Sequence, residues 1–169
     1  MGDAVEIVRG AVDGLDDLRP LWLALRTHHH QVAPDLGPVR GDEETWRLRR
    51  AQYEEWLTND PRNFVLVARR GGGGRAIGYA FARVADSSSP TWDGERVVLD
   101  VETLVVAPEA RGAGVGARLL AVLREEVARR GYDRLTLTVV SANRDALRFY
   151  EREGLVPTFT VLRDTRGTP

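Results

Sequence analysis

Three stretches of the 169-residue chain hold residue types that could do chemistry. The first is "VVAPEARGAGVGARLL", Val105 to Leu120, where Gly112, Gly114 and Gly116 alternate between an apolar run and a helical pattern. A strand that enters a helix through such a turn leaves backbone N–H groups uncovered at the positive end of the helix dipole, a seat for phosphate oxygens. The second is Glu102 in "VLDVETLVV", a carboxylate within a run that otherwise reads as a buried strand. Partial desolvation there raises a carboxyl pKa toward the range of a useful base. A neighbouring arginine could instead satisfy the charge, and Asp100, two residues earlier with the same parity, is the rival base. The third is the run His28, His29, His30. Successive helical residues point about 100° apart, so the three cannot converge on one ion, and no metal site is expected. The run reads as a helix end placed favourably on the dipole, with a histidine lining a pocket.

The elements that must position these residues follow from periodicity. "AVEIVRG" is a first strand, "LDDLRPLWLALRTHHH" a helix with Pro20 tolerable near its first turn, and "EETWRLRRAQYEEWLT" a second helix starting from Asp42 as N-cap. "NFVLVAR" and "AIGYAFARV" are strands joined across "RGGGGR", and "RVVLDVETLVVAP" is apolar on both faces, as a central strand should be. "VGARLLAVLREEVARR" carries a helical apolar stripe ended at Gly131, "RLTLTVV" is a strand, "SANRDALRFYERE" a helix closed by Gly154, and "VPTFTVLRD" a last strand. The order is βααβββαβαβ in one α/β domain, residues 1–164, with 165–169 as a frayed tail.

Composition excludes several classes. All 24 basic residues are arginine, net charge is −1, and the two signs are interspersed, so a nucleic-acid footprint is not expected. Cysteine is absent, which removes disulfides, thiolate metal sites and a cysteine nucleophile. No run of about 18 apolar residues offers a membrane span. The first residues carry acids where a signal peptide is basic, and Glu6 breaks the myristoylation pattern. A cytoplasmic protein is expected.

Without lysine, the G-x-x-x-x-G-K-[ST] phosphate loop cannot be completed. Gly112, Gly114 and Ala117 fit G-x-G-x-x-G/A, but the next strand, "RLTLTVV", ends in Val140 and Ser141 with no acid for a ribose, so a dinucleotide site is not expected. Arg111, Gly114 and Gly116 instead complete Q/R-x-x-G-x-G/A. Further on, "NRDALRFYEREGL" reads N-x-x-A-x-x-F-Y-x-x-x-G, through Asn143, Ala146, Phe149, Tyr150 and Gly154. With both segments in order, the chain resembles the GCN5-related N-acetyltransferase (GNAT) family from Glu102 to Leu155, and its element order fits that fold over nearly the whole length.

The resemblance implies a central, mixed, mostly antiparallel sheet flanked by helices, and an N-acetyltransferase that moves acetyl from acetyl-CoA to a primary amine by direct attack in a ternary complex. The alternative is a non-catalytic acyl-CoA sensor or interaction module on the same fold. It implies that backbone amides from Arg111 through Gly112, Ala113, Gly114, Val115, Gly116 and Ala117 hold the pyrophosphate of coenzyme A. It implies that the backbone of Leu104, Val105 and Val106 bonds the pantetheine arm like an added strand. Ala146, Phe149 and Tyr150 share a helix face toward the coenzyme. Asn143 is either a simple N-cap or a coenzyme contact. Glu102 is the expected base and Tyr150 the acid that protonates the leaving thiolate.

The acceptor, a small-molecule or peptide amine, is expected to meet the first two helices, with Trp22, His28, His29 and Glu102 as its contacts. Only residues 155–169 follow Gly154, room for one strand where many family members close with two. The acceptor cleft is therefore expected to be more open, or completed by a second subunit in a homodimer.

Overall fold

The structure is a computed structural model that describes residues 4–71, 73–86, 90, 91, 93, 94 and 96–164. Its elements are β1 (Val5–Gly10), α1 (Arg19–Val32), α2 (Asp42–Asn59), β2 (Phe64–Arg70), β3 (Ala76–Asp86), β4 (Val97–Val106), α3 (Val115–Arg130), β5 (Arg134–Leu137) and α4 (Arg144–Arg152), with short 3-10 turns at Val12–Leu18, Pro34–Leu36 and Pro108–Ala110. The strands form one sheet in the order β1-β2-β3-β4-β5. The first three pairings are antiparallel and β4–β5 is parallel. The parallel pair needs a crossover, and α3 supplies it. Among the described residues no helix is long and apolar enough to cross a membrane.

Local sequence accounts for most of these elements. Phe64 to Ala68 are all buried, as a strand covered on both faces requires. The glycine-rich link turns β2 into β3, although Gly72 lies outside the described residues. On α3 the stripe Val115, Leu119, Leu120 and Leu123 is wholly buried, while the exposed face carries arginines and glutamates. On the opposite face of the sheet, the Tyr53 ring of α2 lies stacked on Phe81 of β3, centroids 4.1 Å apart. The Tyr53 hydroxyl meets Tyr79 at 3.2 Å and Thr103 at 2.6 Å, a closed polar cluster within the core.

Several expectations shift. The first helix divides into a 3-10 turn followed by α1, with Pro20 in the first turn, and the N-cap of α2 is Gly41, one residue before Asp42. The expected last strand is not formed: 156–164 has no strand pairing, and Val156, Phe159, Val161 and Leu162 are 79–90% exposed. Its β-branched and aromatic composition supplies propensity, but a strand persists only when an edge pairs with it. The observed order is thus βααβββαβα. The tail 165–169 lies outside the described residues.

One ion-pair cluster ties the crossover helix to the sheet edge. Glu126 of α3 meets Arg9 of β1 at 2.8 Å, Arg129 at 2.6 Å and Arg130 at 2.8 Å. Burial alone would raise the Glu126 pKa; the three guanidiniums outweigh it and hold the carboxyl down at about 2. A pKa depressed by folding contributes stability that is present above the unfolded-state value and is lost as pH falls through the folded one. Glu126→Gln should therefore destabilise the fold by about 1–3 kcal/mol near neutral pH. The gap between the two melting curves should close between about pH 4.5 and pH 2. A gap that persists unchanged at low pH would refute the assignment.

Candidate functional site

β4 is the strand on which the site is built. Its pairing with β5 runs only from Val98↔Arg134 to Val101↔Leu137. Beyond Val101, β4 continues to Val106 against β3 alone, so the sheet opens on the β5 side from Glu102 onward. The register with β3 jumps at the same place, from Phe81↔Thr103 to Ala82↔Val101, which leaves Glu102 as the extra residue of a bulge. Glu102 and Thr103 both reach side chains of α2, Arg49 and Tyr53 respectively. The bulge thus aims a carboxylate out of an otherwise regular strand.

The phosphate turn lies just past the opening. Ala107 N–H donates to Ile77 O at 2.8 Å and anchors the strand end before the 3-10 turn. Gly112 and Gly114 both adopt φ +76, a left-handed conformation that side chains disfavour, and a Cβ at either would meet nothing within 4 Å. Gly114 is the N-cap of α3 and supplies no side-chain cap. The first backbone bond that closes onto the turn is Arg118 N–H to Gly114 O at 3.0 Å. The amides of Val115, Gly116 and Ala117 precede it and face outward from the first helical turn. An open, uncapped helix start with room beside two glycines fits a pyrophosphate. Val115 itself is core, and Gly116 serves a different end: a Cβ there would lie 3.1 Å from the Phe149 ring, so this glycine lets α4 pack against α3.

Arg111 is exposed, and among the described residues no hydrogen bond or ion pair holds its side chain. It lines a cleft of about 350 Å³ shared with Pro108 and with Arg26, Thr27, His28 and Gln31 of α1. His28 Nε2 also lies 3.3 Å from Asn143 Oδ1, which ties α1 to α4 beyond the end of β5. Asn143 is 6% exposed and its side chain accepts from Ala146 N–H at 3.3 Å, so it is a true N-cap as well as a partner of His28. His29 does not line that cleft; burial first, then the neighbouring His28, lowers its pKa. Among the described residues no group of three His, Cys, Asp or Glu side chains could hold a metal.

Tyr150 packs inward beside Phe149, ring centroids 5.1 Å apart. Burial pushes its pKa up to about 12. Among the described residues its hydroxyl has no hydrogen-bond partner. A half-buried phenol that keeps its proton and has not spent it on a carbonyl is a ready donor.

Glu102 does not stand alone. Its Oε1 accepts from Arg49 Nη1 at 3.0 Å, and its Oε2 lies 3.9 Å from Arg83 Nη1. The Arg49 guanidinium sits 4.3 Å over the Trp22 ring and 5.3 Å from that of Tyr53, and Arg83 sits 4.3 Å over Trp56. Trp22 also donates to Thr45 at 3.2 Å and borders an open groove of about 400 Å³ with Arg49, Gln52 and Glu55. The sequence alternative of an arginine-satisfied carboxylate is the one present. At Asp100 burial raises the pKa, against a 3.2 Å bond from Thr136 that lowers it. Arg49 and Arg83 were missed by sequence reasoning. Spacing puts Arg49 one helical turn from Trp46 and Tyr53 and gives Arg83 the parity of Tyr79 and Phe81 on β3, but neither pattern points to Glu102.

A mixed sheet that opens beside an uncapped glycine turn, flanked by a carboxylate and a half-buried phenol, defines an α/β domain with a seat suited to a phosphate-bearing ligand. The acetyltransferase (GNAT) family model matches residues 22–155. The chain belongs to that family. A mycothiol acetyltransferase from Thermobispora bispora is 32% identical over 133 residues, covering 79% of this chain and 41% of its own length. The counterpart from Frankia alni is 30% identical, covering 85% and 40%. The chain therefore spans about two fifths of these relatives. Among solved structures, a tetramutant of the BH1408 protein from Bacillus halodurans superposes with TM-score 0.81 at 17% identity, over 94% of this chain and 97% of that one. Aminoglycoside N-acetyltransferase AAC(6')-Iy in complex with CoA gives 0.70 at 18%, over 99% and 98%.

The two glycine types separate experimentally. Gly114→Ala forces a side chain into positive φ at about 1–2 kcal/mol but meets no atom, so the protein should fold with a slightly lower Tm. Its affinity for coenzyme A should fall about tenfold by calorimetry, because the Cβ enters the phosphate seat. Affinity equal to wild type would show that the turn is structural only.

Proposed function

We propose that the protein is an acetyl-CoA-dependent N-acetyltransferase acting on the primary amine of a small-molecule or peptide acceptor in a ternary complex. The observation that carries this is the opening of β4 from β5 directly beneath the uncapped turn, with Glu102 and Tyr150 on elements that border it. When bound, acetyl-CoA supplies a thioester-activated acetyl group. Amides from Gly112 to Ala117 bind its pyrophosphate; the Arg111 amide donates to Pro108 O at 3.3 Å, and its side chain adds charge. The backbone edge of Leu104, Val105 and Val106 that faces away from β3 orients the pantetheine arm, while Ala146 and Phe149 form the apolar wall of α4. Glu102 Oε2 accepts the proton that the amine gives up, and the Tyr150 hydroxyl donates to the departing sulfur. Asn143 positions α4 and, through His28, the acceptor-side helix; Trp22 and His28 line the acceptor approach.

The curated relatives are named for mycothiol and a structural neighbour for aminoglycosides, which supports a small-molecule acceptor ahead of a protein one. We place the reaction in the cytoplasm. The run 156–164, with four apolar side chains at least 79% exposed, is the surface that a second copy would cover in a homodimer. Light scattering at micromolar concentration tests this: a monomer that stays monomeric discards the dimer.

Acetyl-CoA-dependent thiol release should exceed background hydrolysis with at least one pool of small amines. Silence with all of them would favour an acyl-CoA sensor. Tyr150→Phe should lower kcat about 10–100-fold while acetyl-CoA affinity stays within about twofold. Since its pKa lies near 12, Tyr150 should produce no basic limb in the pH–rate profile below about pH 11. Glu102→Gln should lower kcat about 10–100-fold; an unchanged kcat would move the base to Asp100.

A further inference from the structure

The charges on the acceptor side of β4 are mixed. Two guanidiniums, Arg49 and Arg83, face the carboxylate of Glu102, and Asp100, the cross-strand partner of Arg83, has its Oδ1 bonded to Thr136 and its carboxylate attracted by Arg83. The two arginines are used differently. Arg49 is shielded, stacked on Trp22 and bonded to Glu102 Oε1. Arg83 is more open, 40% exposed, and Glu102 Oε2 at 3.9 Å is too distant for a hydrogen bond. Among the described residues no other group accepts from its side chain. The Trp56 ring beneath it fixes where its N–H fork stands. The acceptor side thus holds an oriented guanidinium with unused donors, a few ångströms from the free oxygen of the candidate base.

Glu102 Oε2 can receive the acceptor's amine, while Arg83 offers the planar, bidentate geometry that suits a carboxylate. The 3.9 Å between them matches the separation of an amine and a carboxylate attached to the same or adjacent carbon atoms. We infer that the acceptor is an amino acid or a close analogue whose carboxylate, next to the reacting amine, is recognised by Arg83. This deepens the acetyl-transfer reading and rests on it. It separates the protein from acceptors that carry amines and no carboxylate, which would leave the N–H donors of Arg83 unmet. It also makes Arg83 a residue that sets specificity, while the acid and base remain Tyr150 and Glu102.

The test compares kcat/KM for thiol release with α-amino acids, their carboxamides and a polyamine. The carboxamide's amine loses its proton more readily, so intrinsic reactivity favours the amide and cannot mimic recognition of the carboxylate. Wild-type protein should prefer the acid over its amide by about tenfold or more. Arg83→Gln should bring that ratio to within about twofold of unity, and Arg83→Lys should leave an intermediate ratio. Melting curves establish that both variants are folded, and the ratio within each variant cancels any general loss of activity. Wild-type protein that uses the amide or the polyamine as well as the acid overturns the inference and leaves acetyl transfer intact. So does an Arg83→Gln variant that keeps the full preference. Thiol release with none of the three classes overturns this inference alone; acetyl transfer falls only if every other amine pool is silent as well.

Discussion

The structure depends on one interruption: β4 and β5 pair over four residues and then part, at the point where β4 bulges against β3. Backbone N–H and C=O groups within a sheet need partners, and a strand that loses its neighbour leaves a row of them unmet. Past Val101 that row faces a space which α4 borders and α3 closes at the turn. Packing holds the gap open. Val115 of α3 sits against Gly78 of β3, and Gly116 admits the Phe149 ring of α4. An extended, amide-bearing ligand arm can satisfy the exposed row.

The same bulge sets the electrostatics. By placing Glu102 and Thr103 within reach of α2, it lets one helix meet β4 through both a buried hydroxyl cluster and an ion pair. Burial raises the pKa of Tyr53 and Tyr79, so the cluster is a set of neutral hydroxyls with no charge to accommodate. It fixes the distance from α2 to the sheet, and with it the position of Arg49. Trp22 and Trp56 then limit where the two guanidiniums can move. The aromatic residues of α1 and α2, which periodicity assigns to packing, also serve as platforms for charge.

What could be read from the sequence divides along physical lines. The glycine turn, the stripe on α3, the N-cap at Asn143 and the inward face of α4 are local, fixed by residues within a turn or two of one another. All appear where the pattern placed them, with boundaries shifted by a few residues. The arginine clamp on Glu102 joins positions 49, 83 and 102 through the sheet register, and no local pattern encodes it. Gly116 looked like a third phosphate glycine because its spacing continued the alternation; its reason is a ring 33 positions away in sequence. The last strand failed from the opposite cause. Its composition was right, but pairing belongs to two segments, and 156–164 has only its own propensity.

An ion pair at the candidate base can seem to argue against catalysis, since a carboxylate already engaged has less to offer an amine. The atoms answer this. Arg49 occupies Oε1 alone, and a carboxylate has lone pairs on both oxygens, so Oε2 remains an acceptor held in one orientation. Without Arg49 the side chain could rotate at the end of its bulge, and an amine arriving there would have to select the productive rotamer. Tyr150 presents the complementary case, a donor whose burial keeps its proton in place and whose hydroxyl no group among the described residues has claimed. One group is tethered through half of its capacity and the other is left free, so each keeps one open valence for the proton it must take or give. The split between a fixed acceptor and an unspent donor follows from where β4 bulges and where α4 packs, the two consequences of a sheet that stops pairing at Val101.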